Sequence, residues 1–210
     1  LAEHERLSQD ELLWQLRGEL IGRIDEEREA TVGPILKSRH EFIERILQDV
    51  SFIGYLKALE EREKKPLPVL LKESRRYLHE IASDYSETFI ELWEKLLTWL
   101  WKNIYDGVIV DRKGLAGIRE ISRQMPLVVV PCHRSHIDYL LLSYVFYKEN
   151  IQLPFVAAGI NLSFWPVGYI FRKSGAFFIR RSFKGLELYG EVFSRYIKAM
   201  MAEKMPIEFF

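Results

Sequence analysis

Reactive sulfur is almost absent from this 210-residue chain, in which Cys132 is the single cysteine. That excludes an internal disulfide framework and fits a reducing compartment. Net charge is absent too, because 30 Lys and Arg balance 30 Asp and Glu. A neutral chain with only a short positive patch does not suit nucleic-acid binding. Internal repeats and low-complexity tracts are missing as well. Behind Leu1 come charged residues rather than an apolar run, so no signal peptide is expected, and the chain reads as a fragment of something longer. No uninterrupted apolar run makes a convincing membrane span. Asn150 to Phe171 is uncharged and long enough, but Pro154, Gly159, Asn161, Pro166 and Gly168 argue against a simple spanning helix.

One absence is local. From Asn150 to Leu186 there is no acid, while Arg172, Lys173, Arg180, Arg181 and Lys184 are all present. Five positive charges without compensation nearby form an anion-attracting segment inside a neutral chain. What the chain does hold is typical of a globular protein, with 48% hydrophobic and 29% charged residues. Its 13 Phe, 10 Tyr and 5 Trp are a generous aromatic supply, suited to an interface between water and apolar material.

Residues 1 to about 105 read as helices. Ser8-Gln-Asp-Glu11 has the form of a capping box before Leu12, Leu13 and Leu16. A helix fits Ile35 to Glu60, with Phe42, Ile43, Ile46, Leu47, Val50 and Ile53 at three-and-four spacing. Pro66-Leu-Pro68 marks a break. A third helical region carries Phe89, Leu92, Trp93, Leu96, Leu97, Leu100 and Trp101 as a broad apolar face, read as core packing ahead of contact with a membrane surface. After Tyr105-Asp-Gly107 the pattern changes. Residues 126–131, 153–158, 175–179 and 206–210 read as strands, with helical patterns at 137–149 and 186–203 between them. The expected fold class is α/β: a helical N-terminal region, 1–105, followed over 106–210 by a mostly parallel sheet covered by helices. In the uncharged segment, a buried strand is expected before the aromatic stretch Leu162 to Phe171, which would touch or dip into a bilayer interface.

The chemistry concentrates in Val128-Val-Val-Pro-Cys-His133-Arg-Ser-His136-Ile-Asp138-Tyr139. An imidazole held by a carboxylate can take a proton from a hydroxyl at neutral pH. Five residues of helix would leave the two side chains roughly 140° apart. The pair therefore suits a His133 in the loop after a strand and an Asp138 in the first turn of the next helix, with Ser135 as N-cap. Asp138 could instead merely complete the helix start, since Ser135-x-x-Asp138 is itself a capping pattern. A metal site from His133, His136 and Asp138 is a weaker alternative, because no further His or paired carboxylate lies nearby. Cys132 reads as a small buried filler rather than a nucleophile. The Arg180–Arg181 pair follows Phe178 at a strand end, where sheets of this kind place their sites.

These residues carry a resemblance. Cys132-His-Arg-Ser-His-Ile-Asp-Tyr-Leu-Leu-Leu-Ser-Tyr144 resembles the first block, His-x4-Asp, of membrane-bound glycerol-3-phosphate 1-acyltransferases. Gly175-Ala-Phe-Phe-Ile-Arg-Arg-Ser-Phe-Lys-Gly185 resembles their second block. Ala157 to Pro166, Glu27 to Pro34 and Leu78 to Tyr85 are similar to the bacterial PlsB-type branch. The resemblance implies a glycerolipid acyltransferase fold, and transfer of a fatty acyl group from acyl-CoA or acyl-carrier protein to the 1-hydroxyl of glycerol 3-phosphate. His133 would be the general base and Asp138 its orienting partner. Arg180 and Arg181 would hold the phosphate, with Ser135, Gly175 and Phe178 as further substrate-binding candidates. No cofactor or metal is implied. Membrane lipids are the implied partners, at the cytoplasmic face of a bacterial inner membrane, with peripheral or monotopic attachment. A third block, expected after Glu208-Phe-Phe210, and a fourth are not present. Part of the phosphate site, the acyl tunnel and the end of the sheet are thus expected elsewhere, and residues 1–210 alone are expected to be inactive.

Overall fold

The computed structural model describes residues 38–105, 107–132, 135 and 137–209. The capping box at Ser8, the segment Glu27 to Pro34, His133 and His136 lie outside the described residues.

Two helices open the described chain, α1 (Arg39–Leu47) and α2 (Val50–Glu63), where one from Ile35 to Glu60 was expected. The break is local chemistry: the Asp49 carboxylate accepts from the Phe52 N–H at 2.9 Å and starts a new helix. The apolar spacing runs on across the break, which hides it from periodicity. Ser38 and Glu41 form a reciprocal capping box at the start of α1. The predicted stop at Pro66 holds, and α3 (Leu67–Ile81) begins directly after it. Next comes α4 (Glu87–Asn103), whose aromatic stripe splits. Leu97 and Trp101 are buried, whereas Leu92 and Leu96 are 65% and 48% exposed.

The second half contains α5 (Arg112–Gln124), β1 (Val128–Val129), α6 (Asp138–Lys148), β2 (Phe155–Gly159), α7 (Val167–Lys173), β3 (Phe177–Ile179), α8 (Glu187–Ala202) and β4 (Ile207–Glu208). All four expected strands are present but shorter than read, and α5 and α7 are additions. The sheet is wholly parallel with order β1-β4-β2-β3. Ile207 pairs with Val128 on one side and Phe155 on the other, and Ala157 pairs with Phe177. Parallel neighbours need crossovers, and α6, α7 and α8 supply them. This is the α/β class expected.

Three of the helices leading into strands end on the same device. Ala176 N–H reaches Phe171 O, Ile151 N–H reaches Phe146 O and Met205 N–H reaches Met200 O, at 2.8 to 3.0 Å. The residue before each has positive φ: Gly175, Asn150 and Lys204. These are Schellman turns, which satisfy the last carbonyls and redirect the chain within two residues. The principal core joins both halves. Phe42, Phe52, Leu70 and Leu78 pack in one cluster with Phe155, Phe177, Tyr189, Tyr196 and Ile207. Each large apolar side chain buried there contributes roughly 1.5–3 kcal/mol. Among the described residues no helix is long and apolar enough to cross a membrane.

Candidate active site

Asp138 opens α6, and its Oδ2 accepts from the Ser135 N–H at 2.7 Å. Ser135 Oγ in turn accepts from the Ile137 N–H at 3.2 Å. The expected N-cap is thereby corrected. Ile137 occupies that position without a side-chain bond, and Ser135 lies one turn outside, closing a short turn of its own. The carboxylate does perform the helix-start role that the spacing allowed, and it lies half-buried at the edge of a groove. Cys132 is exposed, which corrects its reading as a buried filler. The reason is topological: β1 is a two-residue edge strand, and Val130 just after it is 74% exposed.

The second expected segment is built differently. Gly175 sits at φ +99° in the turn between α7 and β3, with Tyr85 Cδ2 3.4 Å from where a Cβ would be. Phe178 is fully buried, and the Arg172 guanidinium lies 4.5 Å above its ring. Phe178 thus touches its scaffold rather than open surface. Arg180 follows β3 and is gripped by Glu80 of α3, Nε to Oε1 at 2.6 Å and Nη2 to Oε2 at 2.7 Å. That bond holds the Arg180 pKa above its usual value. Arg181 is exposed.

The acid-free segment is therefore compensated after all, by acids 80 to 100 positions upstream. Glu80 pairs Arg180, and Asp84 pairs Lys173 at 2.8 Å. Arg172 donates to the Ala82 and Glu80 carbonyls, each at 2.6 Å, closing the C-terminus of α3. Burial lowers the Arg172 pKa to about 10, leaving it charged at neutral pH. Arg181 and Lys184 are exposed and form no ion pair among the described residues, so the residual positive field is theirs.

Two hollows flank α6. An apolar cavity of about 420 Å³ lies against Tyr139, Leu140, Ser143 and Tyr144 on one side, reaching Trp93 of α4 and the strand ends at Gly159 and Ile179. Three-and-four spacing places Asp138, Leu141, Leu142 and Val145 along the other side, in an open groove that also touches Cys132 and Val110. The carboxyl ends of parallel strands share one edge, where such sheets place their chemistry. Asp138, Arg180 and the Gly159 and Ile179 lining of the cavity all belong to that edge.

Two acidic residues escaped the sequence reading. Glu80 lies in the quoted Leu78–Tyr85 segment, and the only sequence signal for its role was the uncompensated charge of the basic stretch. Glu208, on β4, is fully buried with neither carboxylate oxygen hydrogen-bonded among the described residues, and burial pushes its pKa up to about 7. A central strand position in an apolar-looking run gave no hint of it.

A model of the family described as Acyltransferase matches residues 114–210. Curated relatives named glycerol-3-phosphate acyltransferase, from Shewanella loihica and Shewanella baltica, are 42% identical over 187 and 188 residues respectively. Each match covers 88% of this chain and 23% of the relative, so the chain spans about a quarter of the length of the proteins it resembles. Both expected blocks fall inside the matched segment, and the fold there is the parallel α/β sheet that the site geometry uses. Residues 114–210 therefore belong to the acyltransferase family, and the chain as a whole is a relative of proteins named glycerol-3-phosphate acyltransferase.

Proposed function

We propose that the complete protein transfers a fatty acyl group from acyl-CoA or acyl-carrier protein to the 1-hydroxyl of glycerol 3-phosphate, giving lysophosphatidic acid. The observation that carries this reading is that the Asp138 turn and an apolar cavity lie on either side of the start of α6, the cavity reaching the carboxyl ends of β2 and β3. The family match over the same residues and the names of the relatives support it.

In this reading His133 removes the proton from the acceptor hydroxyl as the oxygen attacks the thioester carbonyl. The tetrahedral intermediate collapses, the C–S bond breaks, and the imidazolium returns its proton to the leaving thiolate. Asp138 fixes the imidazole tautomer and stabilises its transient charge. No enzyme nucleophile is needed, so the exposed Cys132 has no part. Arg181 and Arg180 receive the acceptor's phosphate, for which a planar guanidinium fork is suited. The cavity beside α6 takes the acyl chain, its size being ordinary for a small-molecule site. Residues 106–210 supply part of this machinery, and helices α1 to α4 of the N-terminal region brace it. Phe164, Trp165 and Tyr169 stand exposed in the aromatic segment. We read them as the contact with lipid at the cytoplasmic face of the inner membrane, where an amphiphilic product would be released.

The deciding experiment is an acyl-transfer assay on the complete protein, pairing each donor with each acceptor. His133→Ala should lower turnover roughly 10²–10⁴-fold. Near-normal turnover would remove His133 from the mechanism. Preference for lysophosphatidic acid or dihydroxyacetone phosphate would reassign the acceptor, and vesicle binding without any transfer would leave a lipid-binding module.

A further inference from the structure

Of the five basic residues in the acid-free segment, one is held in an unusual way. Arg172 spends its donors on backbone carbonyls, and Lys173 meets a single carboxylate. Arg181 and Lys184 are exposed. Arg180 is fixed by a side-chain carboxylate and two aromatic rings while staying about a quarter exposed. Glu80 takes Nε and Nη2 in a two-point grip. The guanidinium carbon lies 5.2 Å from the Tyr77 ring and 4.6 Å from the Tyr189 ring. The Arg180 backbone N–H donates to the Tyr189 hydroxyl at 3.2 Å. The same tyrosine therefore fixes both ends of the residue.

We propose that Glu80, on the helical half of the chain, is a positioning residue for the acceptor site: its carboxylate locks the fork of Arg180 so that the donors left over face the phosphate. A guanidinium carries five N–H groups. Glu80 occupies the Nε–H and one Nη2–H, leaving both Nη1–H groups and the second Nη2–H for an anion. An arginine free in solvent loses side-chain freedom when it binds, and an arginine already immobilised does not. The arrangement divides the work between one fixed cation and its exposed neighbour Arg181. An ordinary exposed ion pair would be a poor basis for such a claim. The two-point geometry, the pair of aromatic rings and the partial burial of both partners distinguish this one. The helical region would then shape the acceptor site as well as brace the sheet.

The inference rests on the acceptor-site reading above, and its test separates the two. In the complete protein, KM for glycerol 3-phosphate and KM for the acyl donor are measured for Glu80→Gln, Glu80→Ala, Arg180→Ala and the double variant Glu80→Ala with Arg180→Ala, alongside thermal melting. Glu80→Gln keeps the shape of the side chain, so the test survives if Glu80→Ala does not fold. The expected result is a roughly tenfold rise in KM for glycerol 3-phosphate with either Glu80 variant, and no change in KM for the donor. The double variant should be no worse than Arg180→Ala, because Glu80 acts through that residue. A fall in KM for glycerol 3-phosphate would show that Glu80 competes with the phosphate, and would overturn the proposal. So would additive effects in the double variant, or lower melting with both KM values unchanged. If Arg180→Ala itself leaves KM for glycerol 3-phosphate unchanged, the acceptor-site reading of Arg180 fails first.

Discussion

The two segments that carry the proposed chemistry are built in opposite ways. Around Asp138 the chain leaves a two-residue edge strand, passes the exposed Cys132 and Ser135, and enters a helix in which Phe146 is the one buried residue. Around Arg180 it passes from a Schellman turn through the buried Ala176, Phe177 and Phe178 into a grip supplied by another helix. The first region has chemistry with little packing, and the second has packing that also fixes a cation. Loss of function and loss of stability should therefore come apart between them.

Asp138→Asn is the sharpest way to test that separation. Asparagine keeps an oxygen able to accept from the Ser135 N–H, so the helix start should survive and melting should be unchanged. It lacks the charge that would stabilise a protonated His133, so turnover of the complete protein should fall strongly, on the order of 10²-fold, but less than for His133→Ala. Full activity would reduce Asp138 to a helix-start residue and end the contrast.

Glu208 connects the regions, because β4 lies between β1 and β2 with Glu208 level with Val129 and Val156. Below the ordinary glutamate range, near 4.3, the carboxyl is neutral in folded and unfolded chains alike, and its full stability is present. As pH rises toward about 7 the unfolded chain releases the proton first, so stability falls. The loss is complete above the folded value. A displacement of that size corresponds to about 4 kcal/mol at most. Glu208→Gln should abolish this dependence. The difference in Tm between variant and wild type should grow in favour of the variant from pH 5 to pH 8. A constant difference would mean that Glu208 finds a partner in the complete protein.

Arg172→Lys probes the packed region alone. Lysine keeps a charge but cannot reach the Ala82 and Glu80 carbonyls with a flat fork while lying over Phe178. The expected cost is about 2 kcal/mol, read by denaturant unfolding, with KM for the acyl donor unchanged.

Sequence reading caught the alternation of strand and helix because the apolar runs at 153–158, 175–179 and 206–210 are short and sharply bounded. It missed α5, in which Gly114 and Gly117 depress helix propensity and no residue is buried. It missed α7 because an uncharged aromatic stretch looked interfacial throughout. The break at Asp49 was lost for the opposite reason, a periodicity that continues across a new cap. For the candidate site, the placement of Asp138 at a helix start and of Arg180 at a strand end was legible from local pattern. The Glu80–Arg180 pair was not, since its partners lie 100 positions apart and only the fold joins them. Counting charge along the chain made the basic segment look open. Counting it in space leaves Arg181 and Lys184 as its exposed cations without an ion pair among the described residues.

Gly175→Ala is the smallest of these changes and a strict one. At φ +99° the backbone lies where side-chained residues rarely go. A new Cβ would also meet Tyr85 Cδ2 at 3.4 Å, an ordinary contact that adds little. The cost is therefore conformational, about 1 kcal/mol, and it falls on the turn that aims β3. Asn150, in the matching turn before β2, already tolerates φ 53°, so Asn150→Gly should stabilise slightly where Gly175→Ala destabilises. If both substitutions leave unfolding unchanged, the Schellman turns do not hold the strands in place, and the rigidity ascribed to the Arg180 segment must come from its side-chain grip alone.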